Sequence, residues 1–109
     1  MTAAIGTLLA DLPGDRTQEH IERLAGSENV RIERIVSYGQ ASPAGFWYDQ
    51  DWAEWVVLLA GSAGLLFEGE AEPRTLRPGD CIDIPARRRH RVAWTAADAP
   101  TVWLAVHYR

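Results

Sequence analysis

Cysteine is nearly absent from this sequence, and long apolar runs are missing. Among 109 residues there is one cysteine, Cys81, so no disulfide can form within the chain, and its place beside Ile82 in a strand-like segment predicts a buried, unreactive thiol. The longest apolar run, residues 55–60, is far shorter than the roughly 20 residues that span a bilayer. Met1 is not followed by the basic and apolar regions of a secretory signal. We therefore predict a cytoplasmic protein with no membrane partner.

Positive charge is also scarce. Eleven Lys and Arg residues stand against 15 Asp and Glu, for a net charge of −4, and the one basic run, residues 87–91, extends into no longer stripe that could follow a phosphate backbone. Nucleic acid is therefore not an expected partner. The charged fraction of 24% and the hydrophobic fraction of 47% are typical of a globular protein, and the length suits one domain.

What the chain does contain is a strand-like rhythm. β-Branched and aromatic residues dominate 30–36 and 55–59, as half-buried or fully buried strands require. Turn signals recur in five short segments: 42–45, 61–64, 68–70, 77–80 and 97–100. This spacing predicts an all-β sandwich or barrel. Because both faces of 55–59 are apolar, we expect the outer face to be covered by the N-terminal segment or by a second subunit, and predict a homodimer.

The N-terminal part has a different pattern. A capping box begins at Asp15, and Ile21 and Leu24 would share one face of a short helix. We therefore predict that residues 1–28 form a helical arm that packs on the barrel, and that residues 29–109 form the barrel itself.

One stretch of the chain resembles the second motif of the cupin superfamily, a family of small jelly-roll-like β-barrels. Gly79, Pro85 and His90 keep the spacing of that motif, with five and then four residues between them. The pattern departs at two positions, with Arg87 where the family often has glycine and Trp94 where it often has asparagine. The resemblance implies a cupin barrel with an internal pocket.

The first cupin motif is matched only at its end. Glu54 is followed by six residues and then Gly61, as in the family. Counted back from Glu54, the two usual histidines fall on Tyr48 and Gln50. The match covers roughly residues 40–95 and resembles small single-domain bacterial cupins. It implies a barrel that keeps only part of the usual metal-binding set.

The resemblance implies a possible divalent transition metal, one of Fe, Mn, Ni, Cu or Zn, held by Glu54, His90 and Gln50. Imidazole and carboxylate donors suit these ions. Tyr48 is predicted to be catalytic, as a ligand or as a general acid. The residues themselves leave an alternative open, in which the same four side chains form a hydrogen-bonded polar cluster inside the barrel.

Three further side chains are predicted to bind substrate. Trp47 and Trp94 flank the ligand positions in sequence, and strand parity puts Trp94 on the same face as His90. Arg88 shares that parity and would pair with a carboxylate of the ligand at the pocket mouth. Whether other polar side chains reach the pocket is left open for Asp49, Asp51 and His107.

Together these features predict a cupin-domain protein with an internal pocket for a small molecule. One hypothesis is a metal-dependent enzyme of the dioxygenase, isomerase or lyase type that acts on a small metabolite. The other is a non-catalytic small-molecule-binding cupin with a polar cluster in place of the metal. The sequence does not decide between them, because this fold hosts many activities.

Overall fold

The regular structure of this protein is built from β-strands. The computed structural model describes residues 3–109. Within them lie eight strands: β1 (His20–Gly26), β2 (Val30–Ser37), β3 (Ala53–Ala60), β4 (Ala63–Phe67), β5 (Arg74–Leu76), β6 (Cys81–Ile84), β7 (His90–Thr95) and β8 (Thr101–Tyr108). The all-β prediction is confirmed, and β2 and β3 contain the two segments that the sequence pattern indicated. None of the described residues forms a helix long and apolar enough to cross a membrane.

Two antiparallel sheets enclose the core. The larger has the strand order β1-β2-β8-β3-β6, and the smaller has the order β5-β4-β7. Side chains from both sheets meet in one apolar cluster that includes Leu58 and Trp103 from the larger sheet and Leu65 and Phe67 from the smaller one. Burial of this shared surface is the main force that holds the two sheets together.

The predicted N-terminal helix is wrong, because its second half forms β1 instead. Ile21 pairs with Ile35 of β2, and a register shift between Arg23 and Ala25 marks an irregularity in the strand. The carboxylate of Asp15 accepts a hydrogen bond from the backbone nitrogen of Thr17 at 2.9 Å, which makes a local turn and not a helix cap. Pairing with the edge of a formed sheet satisfies the backbone groups of this segment and overrides its weak helical pattern.

The N-terminal segment covers part of the outer face of the larger sheet. Arg34 of β2 is only 6% exposed although it points away from the core. Its guanidinium donates to the backbone carbonyls of Leu8 and Ala10, both at 3.3 Å, and forms an ion pair with Glu22 at 2.7 Å. The outer face of β2 is therefore shielded from water at Arg34. The division of the chain at residue 28 stays a prediction.

Strand register gathers polar residues in one row on the inner face. Arg31 of β2 pairs with His107 of β8, and His107 pairs on its other side with Glu54 of β3. Side chains of directly opposed residues lie on the same face of a sheet. In the opposite sheet His90 of β7 pairs with Phe67 of β4, so it faces the row from across the core.

Trp94 does not share a face with His90, contrary to the parity argument. The pairing of β4 with β7 shifts between Gly64 and Leu65, so that Leu65 pairs with Val92 but Gly64 pairs with Trp94. Such an irregularity reverses the facing of the residues beyond it. The indole lies against Gly64, where an added Cβ would collide with the ring, and it is 37% exposed.

Cys81 is exposed, so the prediction of a buried thiol is wrong. It begins β6, which is an edge strand of the larger sheet. Ile82 and Ile84 alternate with it and pack toward the core, which leaves Cys81 on the outer face.

Candidate functional site

A cavity of about 240 Å³ lies between the two sheets. Its size is below the roughly 300–1,000 Å³ of sites for drug-sized ligands, so it suits a small metabolite. The apolar side chains of its wall include Ile35, Val56, Leu65, Ile84, Val92 and Trp103. The polar side chains of its wall are Glu19, Arg31, Glu33, Tyr48, Gln50, Glu54, His90 and His107. The structure thus brings together four residues singled out in the sequence, namely Tyr48, Gln50, Glu54 and His90.

His90 and Glu54 face each other across the cavity wall. The imidazole Nε2 of His90 lies 3.6 Å from Oε1 of Glu54, and both side chains are largely buried. Nδ1 of the same ring lies 2.9 Å from the backbone carbonyl of Arg88. Because a carbonyl oxygen can only accept, Nδ1 carries the proton, and the neutral ring has its lone pair on Nε2. The pair therefore presents a basic nitrogen beside a carboxylate.

Tyr48 is held against His90 by both backbone and ring. The two residues form an isolated β-bridge, with Tyr48 N to His90 O at 2.7 Å and His90 N to Tyr48 O at 3.2 Å. Their rings stack with centroids 5.4 Å apart. Burial raises the pKa of the phenol, and the nearby carboxylates of Glu19 and Glu54 raise it further. At neutral pH the phenol of Tyr48 therefore keeps its proton and can donate a hydrogen bond.

A second buried histidine, His107, is paired with the carboxylate of Glu33. Sequence reasoning did not single out Glu33. Nε2 of His107 lies 3.2 Å from Oε1 of Glu33, whose Oε2 lies 3.1 Å from Nε of Arg31. Nδ1 of His107 is buried and has no hydrogen-bond partner among the described residues. Arg31 and Glu33 alternate with apolar residues in β2, and that alternation was the available signal.

An outer groove of about 370 Å³ adjoins the cavity. Arg31, Gln50 and His107 line both spaces. The other residues of the groove wall are Asp49, Asp51, Trp52 and Arg87. Of the three side chains left open by the sequence, His107 thus lines the cavity, whereas Asp49 and Asp51 line only the groove.

Trp47 and Arg88 lie outside the cavity wall. The Trp47 ring contacts the guanidinium of Arg89, which lies 5.8 Å from the ring centroid. Arg88 lies over the ring of Phe67 at 5.0 Å and donates to the backbone carbonyl of Glu68 at 2.9 Å. Contacts within the protein thus engage both side chains. That Trp47, Arg88 and Trp94 bind substrate stays a prediction.

The predicted metal site lacks a third strong donor among these side chains. A catalytic zinc site takes three protein donors and a water, and a structural zinc site takes four protein donors. Nε2 of His90 and the carboxylate of Glu54 supply two, and Gln50 adds only a weak neutral amide oxygen. In residues 3–109 no three His, Cys, Asp or Glu side chains are grouped so as to hold one ion. The gathered residues therefore do not fit the predicted metal.

Solved structures share this architecture. A protein of Ralstonia eutropha JMP134, provisionally named a mannose-6-phosphate isomerase, is 51% identical with a TM-score of 0.93, and the match covers 97% of this chain and 98% of that one. A sugar phosphate isomerase from a cupin superfamily, of Silicibacter pomeroyi DSS-3, is 23% identical with a TM-score of 0.67 and coverage of 84% and 59%. A cupin of Methanocaldococcus jannaschii with a double-stranded β-helix fold is 18% identical with a TM-score of 0.69 and coverage of 90% and 86%. The last two likenesses concern the fold alone.

The family is established by the sequence as well. No curated protein matches the chain. The model of the cupin domain matches residues 34–107, which contain β3 to β7, the second half of β2 and all of β8 except Tyr108. With its double-stranded β-helix and this match, the chain belongs to the cupin family.

Proposed function

We propose that this protein is an isomerase that moves a proton within a small hydroxyl-rich metabolite of the sugar phosphate class. The observation that carries the proposal is the facing of His90 Nε2 and Glu54 Oε1 across 3.6 Å in the cavity wall. The reaction class is supported by the name of the Ralstonia eutropha protein, with which this chain shares 51% of its residues.

His90 is the proposed base. In an aldose–ketose interconversion a proton leaves the carbon next to the carbonyl and is delivered to the former carbonyl carbon. The lone pair on Nε2 of His90 can take that proton, and the carboxylate of Glu54 stabilises the imidazolium that forms. The same nitrogen can then return the proton to the former carbonyl carbon, while the hydroxyl proton passes to the former carbonyl oxygen, so that no group is consumed.

Tyr48 is the proposed donor to the substrate oxygen on which negative charge develops. Its raised pKa keeps the phenol protonated at neutral pH. Its ring stacks on His90, which holds the donor close to the base. A preorganised donor in a site that excludes water stabilises a developing oxyanion more than it stabilises a neutral carbonyl.

The proposal is tested by solvent exchange. Aldose and ketose 6-phosphates, with mannose 6-phosphate first, are incubated with the protein in D₂O, and proton NMR follows both isomerisation and deuterium uptake at the exchanging carbon. Wild type is expected to catalyse both, and His90→Asn to catalyse neither. His20→Asn is the matched control, since His20 lies outside the cavity wall and bonds the backbone of Asp15. Absence of turnover and exchange in the wild type across the set of sugars would contradict the proposal.

A second candidate is a cupin that binds a small molecule without transforming it. The pairing of His107 with Glu33 favours it, because that half of the polar set is engaged within the protein. Such a protein would bind a sugar phosphate yet give no solvent exchange. Calorimetric binding together with an inactive exchange assay would select this candidate.

The sequence prediction of a divalent metal on Glu54, His90 and Gln50 is checked separately, by elemental analysis of protein purified without a metal-affinity tag. If that prediction holds, the wild type carries a stoichiometric transition metal and Glu54→Ala and His90→Ala lose it. The proposed proton transfer requires no metal. The cytoplasmic location and the homodimer likewise stay predictions, the latter testable by light scattering.

A further inference from the structure

The outer groove contains two arginines from different parts of the fold. Arg31 comes from β2, and Arg87 comes from the turn between β6 and β7. Arg31, Gln50 and His107 also line the inner cavity, so a ligand in the cavity can extend one end into the groove. Two guanidinium groups beside such an opening are suited to an anionic end group.

The guanidinium of Arg31 is not fully used within the protein. Its Nε is buried without a hydrogen-bond partner among the described residues, although Oε2 of Glu33 lies 3.1 Å away. The side chain is 40% exposed and lies over the ring of Trp52, at 5.8 Å from the centroid. Trp52 also contacts Arg109, whose guanidinium is 4.4 Å from the ring centroid. The aromatic ring thus holds Arg31 at the groove, and the guanidinium keeps N–H groups that can donate to a ligand.

Arg87 occupies a backbone conformation that an arginine does not favour. Its φ is +67°, in the left-handed region that glycine adopts without cost. Its backbone nitrogen donates to the carbonyl of Gln50 at 2.7 Å, which fixes the turn against the groove. The side chain is 67% exposed and forms an ion pair with Asp49 at 3.1 Å. An exposed pair of this kind contributes little to stability, so a ligand anion can replace Asp49 at low cost.

We propose that the outer groove binds the phosphate of the substrate, with Arg31 and Arg87 as its cations and Asp49 as the counterion that the phosphate displaces. This inference rests on the proposed function, since it assigns the hydroxyl-bearing part of the same molecule to the inner cavity. Asp51 also lines the groove, and Glu33 faces Arg31 from the cavity side. Two arginines and two aspartates thus line the groove, which is not a broad basic surface, and a phosphate binds there only if it displaces Asp49 from Arg87.

The test uses a probe that binds without reacting. Mannitol 6-phosphate has no carbonyl and cannot isomerise, and mannitol lacks the phosphate. Isothermal titration calorimetry is expected to give tighter binding of the phosphorylated polyol to the wild type by at least tenfold. Arg87→Gly should weaken that binding about tenfold or more while the melting temperature is unchanged or higher, because glycine relieves the strained φ.

Two further variants make the result decisive. Arg77→Ala removes the same charge from a turn outside the groove and should leave binding within about twofold of wild type. Asp49→Asn removes the competing carboxylate and should strengthen binding of the phosphate severalfold. Equal losses in Arg87→Gly and Arg77→Ala would overturn the inference, and so would weaker binding of mannitol 6-phosphate to Asp49→Asn, because Asp49 would then support binding of the phosphate and not compete with it.

The binding test and the exchange test distinguish failure of the groove assignment from failure of the proposed reaction. If the charge-dependent binding is found and no sugar phosphate exchanges solvent deuterium, the groove assignment stands and the proposed reaction is wrong. If sugars without phosphate isomerise as well as their phosphates and Arg87→Gly binds normally, the reaction stands and the groove assignment is wrong.

Discussion

The two buried histidines of the cavity lie next to carboxylates, yet they are oriented by different kinds of partner. In His90 a backbone carbonyl engages Nδ1, so the neutral ring presents an unprotonated Nε2 to Glu54. In His107 a carboxylate engages Nε2 directly, and the buried Nδ1 has no partner among the described residues. The first arrangement leaves Nε2 of His90 facing the cavity, and the second engages Nε2 of His107 with Glu33. We therefore expect similar side-chain pairs in one cavity to serve chemistry in one place and stability in another.

The largest expected effect is a difference in kcat between variants of the two histidines. Substitution His90→Asn should lower kcat about 10²- to 10⁴-fold, the usual contribution of a general base. Substitution His107→Asn should lower kcat less than about tenfold, since Nε2 of His107 is occupied by Glu33. Steady-state kinetics on the best sugar phosphate measures both. Equal losses would remove the distinction between the pairs.

Loss of the Tyr48 hydroxyl should have the next largest effect. Substitution Tyr48→Phe removes the proposed donor and keeps the ring that stacks on His90. We expect kcat to fall about 10²-fold, as when one donor to a developing oxyanion is deleted, with little change in KM. A rise in KM at constant kcat would instead identify Tyr48 as a residue for ground-state binding.

The free energy of unfolding should depend on the pairing of His107 with Glu33. Substitution His107→Asn leaves the carboxylate of Glu33, which is 15% exposed, without its imidazole partner. We expect the free energy of unfolding to fall by about 1–3 kcal/mol, measured by urea denaturation. Glu33→Gln, which removes the charge as well, should cost less than His107→Asn. If it costs more, the ion pair of Glu33 with Arg31 carries its stabilising role.

The smallest expected effect is on alkaline stability. Because burial raises the pKa of Tyr48, the folded chain keeps this proton at pH values where the unfolded chain releases it. The folded state then binds more protons, so stability falls as the pH rises past the ordinary tyrosine pKa of about 10. Tyr48→Phe should flatten this fall. Tyr108→Phe should flatten the fall as well, since a hydrogen bond to Asp83 raises the pKa of that tyrosine too. Equal slopes in wild type and Tyr48→Phe would contradict the expectation.

Strand positions and the second motif could be predicted because both depend on local sequence. The pattern of residues 30–36 and 55–59 required only β-branched and aromatic composition, and His90 followed from the spacing after Pro85. The N-terminal segment could not be predicted in this way. Its backbone is paired with β2, and that partner is invisible in a local helical pattern.

The inner face of β2 shows why half of the polar set was missed. Alternation divides a strand into two faces but does not say which one meets a cavity when both are covered. Arg34 is buried beneath the N-terminal segment on the outer face, while Arg31 and Glu33 enter the cavity on the inner one. The prediction that Trp94 shares a face with His90 was wrong for a different reason. Alternation of side chains along a strand predicts their facing only up to the point where the strand changes register.

The exposed position of Cys81 gives the protein a spectroscopic handle. As the single thiol of the chain, it can carry a fluorophore or a spin label without prior removal of other cysteines. It lies on the face of β6 opposite Ile84, so a label there would stay out of the cavity. Since β6 is an edge of the larger sheet, association of two copies through that edge would shield the label, whereas association through β1 would leave it mobile.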